Sequence, residues 1–382
     1  MASSAILADL DEDAGPEGAF LHAHQTTGRV RVLLSLGLLV QLLIGCDVAV
    51  ADVAAGRRIF ESACAACHGP GGRPDPASPV VQAFDPPPAD LSDPLFNSRE
   101  PALDWELVVK HGGEALGLSP LMPPQGGSLS DDEIASVIAY IKALADTSDY
   151  PPGELNLMLP IRTKKAFPED EFVWSSRWTE RAGEGVWRNV LEFEKRIGRR
   201  GQVIVELVHE HSGQESELEE IELGYKHALA WSLDRGYLLS GAVVVAIPTD
   251  DEASEEIIPY LAYAQELSPR ATLQASSRAI FPVGDVEQGA LELASIVHYV
   301  WSDWPRQVFP ALEVTATVPF ESGTGDDVQF TVVPQIRIGL TRGGHVALNF
   351  GVELPVSNQD YDYRAHLTLL WDFADGSFFQ GW

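Results

Sequence analysis

Hydrophobic positions along this chain change their period twice. An apolar run over residues 32–45 comes first, and at about fourteen residues it is too short to span a bilayer comfortably but has the length of a signal-peptide core. From Ala54 to Leu144 apolar residues recur at helical spacing: Ile59, Phe60 and Ala63 share one face of a predicted first helix, and Ile134, Val137, Ile138, Ile141 and Leu144 form a stripe on a last one. Ser130, with Glu133 three residues on, has the form of a capping box that starts that last helix. After the turn-rich segment Ser148-Asp149-Tyr150-Pro151-Pro152-Gly153 the period falls to two.

Alternating runs then cover residues 190–197, 202–209, 218–230, 237–247, 257–267, 271–281, 291–301, 309–320, 328–340, 345–356 and 363–373. The expected total is about ten to twelve strands, many near the ten residues that cross a membrane at a tilt. The alternation is clearest late: Leu348, Phe350 and Val352 lie opposite Asn349, Gly351 and Glu353, and Leu367, Leu369 and Trp371 lie opposite His366, Thr368 and Asp372. A soluble sandwich would alternate too, but with a turn every eight to twelve residues, whereas the repeat here is nearer about twenty. Aromatics gather at the run ends, among them Trp174, Trp178, Trp187, Tyr260, Tyr263, Tyr299, Trp301, Trp304, Phe320 and Trp382, as interfacial girdles would require. The expected fold is therefore two domains, an all-α unit followed by an all-β antiparallel unit, with an outer-membrane β-barrel favoured for the latter. The expected boundaries are a leader over 1–46, a helical domain over 47–147, a linker over 148–154 and the β domain over 155–382.

Chemistry concentrates in the helical part. Cys64-Ala65-Ala66-Cys67-His68 has the C-x-x-C-H spacing at which two thiols attach covalently to haem and the next residue ligates its iron. Three residues of separation on a helix put both sulfurs on one face, with the following imidazole beneath the ring. A thioredoxin-like pair would need no following histidine, and a zinc site would need further Cys or His at suitable spacing.

Around this motif, residues from about Asp52 to Asp146 resemble a small class I cytochrome c, about a quarter of the chain. The helical run into the motif matches that family's first helix. Leu121-Met122-Pro123-Pro124 resembles the loop that supplies the second axial ligand, which makes Met122 the expected sixth ligand and a raised reduction potential its expected effect. Met1 and Met158 lie outside the module, and His111 is the alternative ligand. The resemblance also implies that the last helix crosses the first near Gly56, Phe60 and Tyr140, as packing rather than chemistry. It implies one covalently attached haem c, with iron held by His68 and Met122 and thioethers at Cys64 and Cys67. The β part faintly resembles a family of outer-membrane barrels associated with aromatic-compound degradation and transport, through phrases such as Leu223-Gly224-Tyr225-Lys226-His227 and residues 360–373, and this implies architecture only.

Cysteine use agrees with export. The remaining cysteine, Cys46, ends Leu43-Ile44-Gly45-Cys46, which resembles a bacterial lipobox whose cysteine becomes lipidated; an ordinary signal cleaved near Ala49 or Ala51 is the alternative. Residues 1–28 are polar and partly acidic, unlike a positive n-region, and initiation at Val30 would give a leader of normal length.

The formal net charge of -30, without a basic patch, argues against nucleic acid as a partner; it favours a basic redox donor or acceptor, beside outer-membrane lipid, the alternative being that the acidic loops simply face water or lipopolysaccharide-bound cations. His209-Glu210-His211 is read as a solvated hairpin rather than a metal site, and no catalytic triad, phosphate loop or paired catalytic carboxylate stands out. The expected function is electron transfer rather than enzymatic turnover: an exported carrier at the periplasmic face of the outer membrane, integral or lipid-anchored. Two alternatives are an outer-membrane transport protein with a redox-sensing haem, and the haem-bearing subunit of a periplasmic oxidoreductase with a soluble β docking domain.

Overall fold

The computed structural model describes residues 51–381, apart from residues 86, 182, 214, 251–253, 285–287, 321–327 and 358. The expected leader and Cys46 lie outside the described residues, as does Trp382. Residues 49–382 cluster as one unit.

Among the described residues five α-helices precede the strands. Helix α1 (Val53–Ile59) begins where the Asp52 carboxylate accepts hydrogen bonds from the backbone N–H of Ala54 and Ala55, at 2.9 and 3.1 Å. The chain continues through a π-helical turn, Phe60–Cys64, into the short helix α2 (Ala65–His68). Helices α3 (Pro94–Arg99), α4 (Ala102–His111) and α5 (Asp131–Lys142) follow, and α5 carries the capping box expected at Ser130 and Glu133. The stripe Ile134, Val137, Ile138 and Ile141 is buried against Phe60, Leu91, Trp105 and Val109 in one apolar core. Helices α1 and α5 cross in close contact at Gly56, where an added Cβ would lie 1.9 Å from the Ser136 carbonyl oxygen, and Phe60 packs on Tyr140 with ring centroids 5.3 Å apart.

Twelve antiparallel strands close into a barrel: β1 (Glu171–Arg181), β2 (Glu184–Ile197), β3 (Gly201–Ser212), β4 (Glu215–Ser232), β5 (Tyr237–Pro248), β6 (Glu256–Ser268), β7 (Ala271–Pro282), β8 (Ala290–Tyr299), β9 (Val308–Pro319), β10 (Gln329–Gly339), β11 (Val346–Pro355) and β12 (Tyr363–Asp372). Neighbours in sequence are neighbours in space, and β1 closes on β12 with Phe172 opposite Trp371 and Arg177 opposite His366. A closed sheet leaves no unpaired edge, and this removes the soluble sandwich from consideration. Strand β1 is absent from the runs read from sequence, because its inward positions include Val173 and its alternation is correspondingly blurred.

The period-two pattern sorts the two faces as expected. Phe350, Leu354, Leu367, Leu261, Val243 and Leu223 point outward and are exposed, whereas Asn349, Glu353, His366, Glu206, Gln202 and Lys226 point into the lumen and are buried. Two of the aromatics expected in the girdles go elsewhere. Tyr260, only 5% exposed, lines the lumen, and Trp304 packs against the helical part.

Residues 156–170 are the main departure from the expected layout. Rather than opening the first strand, this segment runs inside the barrel. The Glu313 carboxylate accepts hydrogen bonds from Thr163 N and Oγ1 (2.5 and 2.6 Å) and from Arg162 N (3.2 Å). Gln274, Asn349 and Ser240 donate to the carbonyls of Met158, Leu159 and Ala166. Lys165 is ion-paired with Glu169 and Glu171, and Phe167 is fully buried. Irregular backbone is tolerated inside a barrel only where polar lumen side chains satisfy it, and these do.

Candidate functional site: the Cys64–His68 helix and the Met122 loop

The π turn at Phe60–Cys64 and the α turn after it present the C-x-x-C-H residues in one short helical stretch. Helix α2 stops at Gly69, which takes φ +77°, and an added Cβ there would lie 2.0 Å from the Arg73 carbonyl oxygen. The chain therefore doubles back immediately below His68, a path open to glycine alone.

Cys64 and Cys67 are both free thiols, half-buried. Burial, assisted by neighbouring Cys67, pushes the Cys64 thiol up to about 11, so it stays protonated at neutral pH. Burial also lowers the pKa of His68, which favours the neutral imidazole that a metal ligand must be. Its Nδ1 is buried and has no hydrogen-bond partner among the described residues. Among those residues no further Cys, His, Asp or Glu gathers round these three into a zinc-like cluster.

Met122 packs on the apolar core that Cys64 also touches. Residues 112–126 form a loop tied to helix α4: Gly113 N donates to Met122 O (3.0 Å), and Gln125 N and Gly126 N donate to the carbonyls of Val109 and Lys110. Gly112, with φ +81°, lets Pro124 approach so closely that a Cβ would lie 2.8 Å from its nitrogen. Met122 and Cys64 both pack, partly buried, on the rim of the α1/α5 core. His111, the alternative ligand, is instead stacked on Trp304 of the β8–β9 connection, with ring centroids 3.8 Å apart.

Two unpaired thiols at C-x-x-C-H spacing and a neutral imidazole with an orphaned buried nitrogen are of the kinds that hold haem covalently and ligate its iron. The family model described as cytochrome C oxidase, cbb3-type, subunit III, matches residues 51–141. The chain is also similar to cytochrome c6 of Picosynechococcus sp., at 30% identity over 124 residues, 32% of this chain and 100% of that protein. The chain belongs to the cytochrome c family. Its barrel is similar to the NanC porin (TM-score 0.39, 8% identity, 52% of this chain and 98% of that one) and to the COG4313 outer membrane channel from Pseudomonas putida F1 (TM-score 0.39, 12% identity, 56% and 99%).

The cytochrome is seated on the end of the barrel where the chain enters β1 and leaves β12. Besides the His111–Trp304 stack, Arg342 donates to Ala115 O (3.2 Å), Arg99 pairs with Asp375 (3.8 Å), and Gly117 packs so closely on Gly381 that a Cβ would lie 2.5 Å from its nitrogen. No local pattern in the sequence marks this junction or Asp104 within it, since residues about 190–280 positions apart supply it.

Proposed function

We propose that this cytochrome is an exported electron carrier fixed at the periplasmic end of an outer-membrane barrel. Cys64 and Cys67 attach one haem c, and His68 and Met122 ligate its iron. Bound haem supplies a one-electron couple. The protein's own part is to bury the His68 imidazole in its neutral form, to hold Met122 on a loop braced by helix α4, and to keep water from the α1/α5 core behind them. One C-x-x-C-H motif supports one haem.

The membrane reading rests on the barrel's outer face. Leu191, Leu223, Leu261, Leu293, Leu312, Phe330 and Phe350, from seven different strands, are all 42–52% exposed. So continuous an apolar belt around a closed barrel would aggregate in water and is matched by lipid. Strands of 10 to 18 residues are long enough to cross. The acidic surface would steer a basic redox partner to the cytochrome, an attraction that salt weakens. Export would use the apolar run before Cys46, with Cys46 as a lipid anchor.

The single observation that carries the proposal is the seating of the cytochrome on the barrel end that holds both chain passages. To test it, the protein is expressed with a haem-attachment system, membranes are fractionated, and heated and unheated samples are stained for haem after electrophoresis. A haem-positive outer-membrane band that shifts on heating is expected. Haem released with soluble periplasm, without a heat shift, would overturn the membrane assignment.

A further inference from the structure

Between the inward segment and the strands lies a cavity of about 340 Å³, and its lining runs against the charge of the protein. The chain carries a net -30, yet the cavity is lined by seven Arg and Lys side chains against five Glu. Most of these cations are answered. Arg188 pairs with Glu219 and Glu220 at 2.5 and 2.6 Å, Arg278 with Glu292 at 3.7 Å, and Arg162 shares Glu353 with Arg364 and His366.

Arg177 is the exception. Its Cα partners are Arg188 across β1–β2 and His366 across β1–β12, so it stands between a cation and an imidazole. Like charges directly opposite in a sheet destabilise it. Arg177 forms no ion pair among the described residues, and its Nε is buried without a hydrogen-bond partner. The Arg177 side chain is half-buried, Glu353 and Glu219 act on its charge from beyond ion-pair distance, and the orphaned Nε costs free energy until an acceptor reaches it. The same cavity has an apolar wall of Val173, Val190, Val208 and Tyr260, with Val190 directly opposite Val208.

We propose that the barrel lumen holds a binding site for a small organic monocarboxylate, anchored by Arg177. The guanidinium fork matches a carboxylate in a bidentate geometry, and the valine wall takes the apolar body. The cavity's size restricts the ligand to a small molecule. No bond is made or broken; the step is binding.

The test uses the full-length haem-loaded protein in detergent, titrated calorimetrically with butanoate and, as the matched cation, butylammonium. Saturable binding of butanoate alone is expected, weakened at least tenfold in Arg177→Gln and partly restored in Arg177→Lys, with the heat-shifted gel band kept in each. The absence of saturable butanoate binding by the native protein would overturn the site, as would equal binding of the cation. Undiminished binding by a folded Arg177→Gln protein would overturn the assignment of the anchor.

Discussion

His111 of the cytochrome lies flat on Trp304 of the barrel, with ring centroids 3.8 Å apart and planes 5° from parallel. The contact uses the last residue of α4, which also braces the Met122 loop through Val109 and Lys110. Trp304→Ala should remove a stack worth about 0.5–1.5 kcal/mol and open the junction by up to about tenfold. Limited proteolysis within residues 143–152 reads this out, and the variant should be cut faster with its barrel heat shift unchanged. Equal cleavage rates would show that the ion pairs alone hold the junction.

Asp104 makes the same junction sensitive to pH. Burial, then the nearby Glu100 and Asp372 carboxylates, push its pKa up to about 8, against the pull of Lys142 and Arg337. The folded state therefore holds a proton that the unfolded chain has already released above about pH 4. Stability should fall as pH rises from about 4 to 8 and level off above that. Thermal melts of the cytochrome across this range should show the slope, and Asp104→Asn should flatten it; an unchanged slope in the variant would assign the effect to another group.

Replacing the proposed sixth ligand tests the iron site directly. Met122→His should keep both thioethers and lower the reduction potential by on the order of 100 mV or more, because a thioether favours ferrous iron more than an imidazole does. Spectroelectrochemical titration measures the shift. A potential equal to that of the native protein would mean that Met122 does not touch the iron.

Glu313 clamps the inward segment by accepting from Thr163 and Arg162, with Gln335 donating to it at 2.7 Å. In Glu313→Ala several buried donors lose their acceptor, at about 1–3 kcal/mol for each one left unsatisfied. The segment should loosen, and single-channel conductance in planar bilayers should rise above that of the native protein. Unaltered conductance would place the constriction elsewhere in the lumen.

What the sequence made legible, and what it left hidden, follows the range of the interactions. The capping box at Ser130, the α5 stripe and the C-x-x-C-H spacing are set by residues within one or a few helical turns, and all three can be read from the chain itself. Late strands such as β11 and β12 are legible because one face meets an apolar exterior along their whole length. Residues 156–170 show no period, because their partners Gln202, Ser240, Gln274, Glu313 and Asn349 come from five different strands. Trp304 looked like a girdle residue because an aromatic at a strand end reads the same whether it meets lipid or His111. Tyr260 misled for a similar reason: a lumen that holds apolar as well as charged side chains blurs the inside-versus-outside rule at single positions.

The inward segment also bears on how electrons could reach this protein. Only about ten residues separate the end of α5 at Lys142 from Gly153, a reach of at most about 35 Å, and beyond them the chain is locked inside the barrel wall. The haem domain is therefore a fixed post rather than a shuttle. On the proposed function a donor or acceptor would travel to it, so turnover would be set by the traffic of partners to one stationary spot and not by diffusion of the cytochrome itself.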